Sequence, residues 1–187
     1  MWLRSIEDLL GLLGGAARRC QPGERVSELE HALQTAELAE RSSARAEMVA
    51  AALLHDVGRL VDGVEAGTPR RGLDDRHQEV ALPLLAPLFG PPVLEPIRLH
   101  VDAKRYLCAT VGGYARTLSE GARSRLSIQG GPFTFSEAAA FIRQPFAPEA
   151  VILRRWDDYA KTVGWKAPSL DHFAGVLRSC VLAPAVR

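Results

Sequence analysis

Aromatic residues make up only 6% of this 187-residue chain, and methionine occurs twice and cysteine three times. Each shortage excludes something. Cys20, Cys108 and Cys180 are far apart and in no paired motif, which excludes a disulfide framework and makes a reducing cytoplasm the expected compartment. A formal net charge of +1 provides no basic field for nucleic acid and no polybasic face for a membrane. No apolar run approaches the length of a membrane span. Glu7 and Asp8 interrupt the leucine-rich opening where a signal peptide needs an unbroken apolar stretch. Lysine is scarce beside arginine (only Lys104, Lys161 and Lys166), so a lysine at a chosen position carries more information than usual.

What is present is a chain 47% hydrophobic, enough for one sizeable core and one domain. Apolar residues recur at helical spacing and no strand alternation appears, so the expected class is all-α. A short amphipathic helix is expected over 1–15, a core over 23–161 and a last helix over 169–182. Within the core, Ser27 and Glu30 form a capping box opening a helix that carries His31. A second helix runs from about Ala44 to Val57, with Gly58 as its stop. Residues 62–73 read as a loop whose position suits a lid. Asp74 or Asp75 caps a third helix carrying His77, kinked by Pro83, and Pro92 opens a fourth through His100 and Tyr106. The Ser-, Gly- and Pro-rich stretch 119–135 reads as a loop with a short helix on either side, and Pro148 starts the helix containing Trp156 and Asp157.

The chemistry gathers around histidine. His55 and Asp56 are adjacent on an apolar helix, where bare charge is costly and a divalent ion offsets it. Alone, such a pair reads as a cap and a satisfied core histidine. However, His31, His55, His77 and His100 fall on four successive helices at intervals of 24, 22 and 23 residues. That spacing suits antiparallel helices bringing one residue each to a shared depth, and four histidines converging with an aspartate point to a metal site. His172 has no such company and reads as structural.

The order His31, His55-Asp56, His77, His100 and Asp157 resembles the ligand order of HD-domain proteins with two metals. The stretches Gly23–Gln34, Leu53–Asp56, His100–Lys104, Gln129–Gly131 and Arg154–Lys161 resemble those of the mixed-valent diiron oxygenases that cleave organophosphonates, the PhnZ-like group, with myo-inositol oxygenase a more distant relative. The resemblance implies two iron ions in a mixed Fe(II)/Fe(III) state with O2 as co-substrate. His31, His55 and Asp157 would hold the first ion, Asp56 would bridge, and His77 and His100 would hold the second. It implies oxidative C–P cleavage of a 1-hydroxyalkylphosphonate, such as a 1-hydroxy-2-aminoethylphosphonate, to phosphate and a carboxylic acid. An upstream 2-oxoglutarate-dependent hydroxylase is the implied pathway partner, and a monomer or weak dimer is expected. Lys104, one turn after His100, and Arg154, three residues before Asp157, match phosphonate-binding positions. Gln129 matches another substrate contact, and Glu24 a residue facing a substrate amine.

The chain departs from these relatives in the substrate shell. Gln21 stands where they carry a tyrosine that caps a vacant iron position, and Arg59 where they commonly have histidine. Ala122 and Arg125 stand in place of small hydroxyl residues. Arg59 and Arg125 are therefore expected at the substrate, where added guanidinium groups favour a more anionic or larger molecule. Two other readings remain. In one, a metal-dependent HD phosphohydrolase acts on a nucleotide or phosphomonoester. In the other, a metal-binding regulator has lost its substrate shell.

Overall fold

The computed structural model describes residues 3–15, 20, 25–65 and 76–183. They are helical, with two isolated bridges and no strand among them. The central element is α3 (Ala46–Leu54), in which every residue from Met48 to Leu54 is buried. A helix apolar on all sides belongs inside a bundle, and its consecutive alanines Ala50, Ala51 and Ala52 let neighbours approach closely. Against it pack α2 (Glu28–Arg41), the long α6 (Pro91–Thr110), α10 (Ala147–Tyr159) and α11 (Leu170–Ser179). Leu53, Leu54, Leu85, Ile97, Leu153 and Phe173 form the centre of the apolar core. None of the described helices is long and apolar enough to cross a membrane.

The capping box forms as read: Ser27 Oγ accepts from the Glu30 amide at 3.2 Å, and Glu30 accepts from the Ser27 amide at 2.7 Å. The opening helix, α1 (Ile6–Gly15), starts only at Ile6 because Ser5 Oγ caps it by accepting from the Asp8 amide. The single helix expected over 44–57 is instead two. The chain turns at His55 and Asp56, where the His55 ring donates to the Ala52 carbonyl at 2.9 Å, and resumes as α4 (Val57–Glu65). Gly58 is thus not a stop. It lies inside α4 because α5 (His77–Leu85) approaches so closely that a Cβ there would stand 2.0 Å from the His77 carbonyl oxygen.

The start of the expected loop, 62–65, is the end of α4, and its remainder, with Asp74 and Asp75, lies outside the described residues. The N-cap of α5 is Arg76, at a left-handed φ of 40°. Within the expected 119–135 loop lies a full helix, α8 (Glu120–Ile128), because Ser119 Oγ caps it by accepting from the Ala122 amide. At the other end α11 stops at Ser179, and Val181 and Leu182 bridge back to Phe89 and Leu88.

Candidate metal centre

The break between α3 and α4 aims His55 and Asp56 at the same point that His31 reaches from α2, His77 from α5, His100 from α6 and Asp157 from α10. All four histidines are buried. Three have their outer nitrogen committed: Nδ1 of His31 donates to the Ala160 carbonyl (2.7 Å), that of His55 to Ala52 (2.9 Å) and that of His100 to Ile97 (2.7 Å). A carbonyl only accepts, so each of these Nδ1 atoms carries the proton and each neutral ring presents a bare Nε2 lone pair inward.

The inward atoms form two triplets, His31–His55–Asp157 and Asp56–His77–His100, each within 4.8 Å. Nε2 of His31 lies 3.2 Å from that of His55, and Nε2 of His77 lies 3.1 Å from that of His100. The two bare lone pairs of His31 and His55 repel each other unless a cation receives both, and donors side by side on one ion stand roughly 3 Å apart. Asp56 spans the triplets: Oδ2 is 3.6 Å from His55 Nε2 and 3.8 Å from His31 Nε2, while Oδ1 is 2.9 Å from His77 Nε2. The donor set therefore fits two divalent ions sharing one carboxylate.

The electrostatics agree. Burial works against ionised Asp56, but Arg59 with the His55 and His77 rings outweighs it and holds the carboxyl well below the usual range. Burial likewise opposes Asp157, and Arg154 and Lys161 prevail. His100 is driven well below its ordinary value by burial first and then by His77 and His55, so it stays a neutral ligand. At His55 burial opposes protonation, but Asp56 and Asp157 outweigh it and raise the ring's pKa, marking the point between them as one that favours positive charge.

A cleft of about 510 Å³, counting its open mouth, leads to the triplets. Arg59, Lys104, Arg125, Arg154 and Lys161 line it, a concentration of positive charge suited to a small anion. Arg154 also clamps a predicted ligand, with Nη1 2.7 Å from Asp157 Oδ2. Its Nη2 pairs with Asp158, which accepts from Tyr114, and its Nε reaches Tyr114 Oη at 3.3 Å. Tyr114, on the short α7 (Tyr114–Thr117), thus supports Arg154, while Tyr106 packs on Phe141. Gln129 is not among the lining residues. Its Oε1 accepts from Lys104 Nζ, so it meets the cleft through that lysine. Glu28 and Lys161 line the cleft without having been singled out from sequence. His172 pairs with Glu40 at 3.0 Å, away from the cluster. Glu24 and Gln21 lie outside the described residues.

Burial, followed by the charges of Arg154 and Arg125, pushes Lys104 down to about 7. An anion pairing with the ammonium raises that value, so binding takes up a proton above about pH 7 and affinity falls as pH climbs. The ratio of KM in wild type to KM in Lys104→Arg, in which ionisation of the ligand cancels, is expected to rise several-fold between about pH 6.5 and about pH 9. A flat ratio would remove Lys104 from anion binding.

Residues 29–162 match the HD domain family. The chain is 45% identical to a hydroxymethylphosphonate dioxygenase of Gimesia maris over 84% of its own length and 79% of that protein's. It is 34% identical to a 1-hydroxy-2-(trimethylamino)ethylphosphonate dioxygenase (glycine-betaine-forming) of Leisingera caerulea, over 85% of this chain and 81% of that one. The chain belongs to the HD-domain family, in the oxygenase group that contains these phosphonate dioxygenases.

Proposed function

We propose that the protein is a dinuclear iron oxygenase that cleaves the C–P bond of a 1-hydroxyalkylphosphonate with O2. The observation that carries this reading is the pair of ligand triplets sharing Asp56 at the floor of a cleft lined by five cationic side chains. The names of the two relatives, both dioxygenases of hydroxylated phosphonates, supply the reaction class. The chemistry balances: the hydroxyphosphonate dianion and one O2 give a carboxylate, hydrogen phosphate and one proton, a four-electron oxidation.

His31, His55 and Asp157 would hold one iron and His77 and His100 the other, with Asp56 between them. When bound, the pair of ions supplies the one-electron chemistry that O2 requires. The chain's own residues do the rest. Lys104 and Arg125 receive the phosphonate oxygens, Arg154 fixes Asp157 while bordering the cleft, and the apolar helices behind keep bulk water from the ligands. An upstream hydroxylase would supply the hydroxyl next to phosphorus.

The test is phosphate release from hydroxymethylphosphonate, 1-hydroxy-2-aminoethylphosphonate and its trimethylated analogue, with O2 consumption measured alongside. Phosphate and O2 in equal amounts from at least one of them is the expected result. Release that continues without O2 would replace the oxygenase with metal-dependent hydrolysis, and release from a phosphomonoester in place of these compounds would make it a phosphohydrolase. Low-temperature EPR of partly oxidised, iron-loaded protein should show a coupled ferrous–ferric signal, and isolated mononuclear iron under every loading would end the dinuclear reading.

A further inference from the structure

Arg59 reaches the metal-ligating atoms themselves. It sits on α4 three residues after Asp56, its side chain mostly buried. Nε lies 3.0 Å from Asp56 Oδ1, and Nη2 lies 3.2 Å from His77 Nε2. These two atoms belong to the second triplet. The contact to His77 is a hydrogen bond and the contact to Asp56 Oδ1 is an ion pair, so the guanidinium stands where a divalent ion would draw on the same two atoms. The first triplet is approached less closely: among the described residues, Arg154 meets Asp157 on Oδ2, and Lys161 Nζ stands 4.0 Å from the Oδ1 that faces His31 at 3.2 Å. The other end of Arg59's reach is the cleft, which it lines together with Lys104 and Arg125.

We propose that Arg59 couples the second metal subsite to the anion cleft, its guanidinium competing with a divalent ion for Asp56 Oδ1 and His77 Nε2 until a phosphonate dianion draws it into the cleft. The first subsite then loads independently of substrate, and the second loads tightly only with the anion present. Because coupling between two sites is reciprocal, the second ion strengthens anion binding by the same factor. This rests on the reading that the cluster holds two ions.

The test back-titrates the full chain, loaded with Mn(II), with a chelator of known affinity, with and without methylphosphonate, which lacks the reacting hydroxyl. In wild type, two ions should leave in separate steps, and the weaker should be held about tenfold more tightly with methylphosphonate, within the usual range of such coupling. In Arg59→Gln or Arg59→Leu, whichever folds (judged by circular dichroism), the weaker ion should be tighter from the start and the anion effect should shrink severalfold. An equal anion effect in wild type and variant would overturn the proposal, since the anion would then act by ligating the metal directly, and the dinuclear reading would stand. A single ion in every titration would overturn both.

Discussion

Replacing Asp56 by Asn is expected to leave one bound metal ion where wild type holds two, and to lower turnover more than about 100-fold. That is beyond what loss of an outer-shell partner costs. Among the described residues, Asp56 is the one carboxylate that presents different oxygens to the two triplets, Oδ2 toward His31 and His55 and Oδ1 toward His77. An amide keeps the shape but turns one of those oxygens into an NH2 donor. With the NH2 toward His77 the second triplet loses its third ligand atom, and with it toward His31 and His55 the first loses the shared oxygen. Either way that side gains a group that repels an ion. The loss of charge compounds this, because the carboxylate also offsets Arg59 at 3.0 Å. Metal content and O2 consumption on the same sample decide the matter. Two ions and near-wild-type turnover would mean that the triplets are independent and that Asp56 serves only to anchor Arg59.

The candidate ligands were legible because a metal imposes a demand that sequence can display. Four histidines about one helix and loop apart, with an adjacent aspartate, are hard to explain as separate satisfied core residues. Asp157 became legible only through resemblance, since nothing local marks it off from Asp158. The support behind the ligands was not legible at all. Arg154 is braced by Tyr114, 40 residues away in the chain. Gln34 is buried and pairs both ends of its amide with the Thr162 backbone (2.9 and 3.1 Å), locking α2 to the chain just beyond α10. Contacts of that separation leave no periodicity to read. The substrate shell was legible only in part: Arg59, Lys104, Arg125 and Arg154 line the cleft, whereas Gln129 meets it through its hydrogen bond to Lys104, a contact that spacing alone does not display.

Glycine shows the same limit more sharply. After an apolar run, Gly58 has the same signature whether it ends a helix or lets another backbone come close, and only the position of α5 distinguishes the two. The distinction leads to opposite expectations for Gly58→Ala. Helix propensity alone would make the variant about 1 kcal/mol more stable, since alanine is the better helix former. The contact says otherwise. The new Cβ would stand 2.0 Å from the His77 carbonyl oxygen, 2.9 Å from its carbon and 3.0 Å from the Ala81 nitrogen. All three are backbone atoms, which cannot rotate aside as a side chain would, so α5 must move as a body. Overpacking of this kind costs about 1–3 kcal/mol or more, which overrides the propensity gain and should lower Tm by about 5 °C. Because His77 is the first residue of α5, the shift falls directly on the second triplet. The variant should therefore release its second ion far more readily than wild type while His31, His55 and Asp157 keep the first. Thermal melts with metal stoichiometry test both halves. A variant as stable as wild type and holding both ions would show that α5 slides freely on α4, and that Gly58 is there for some reason other than bringing His77 to the metal.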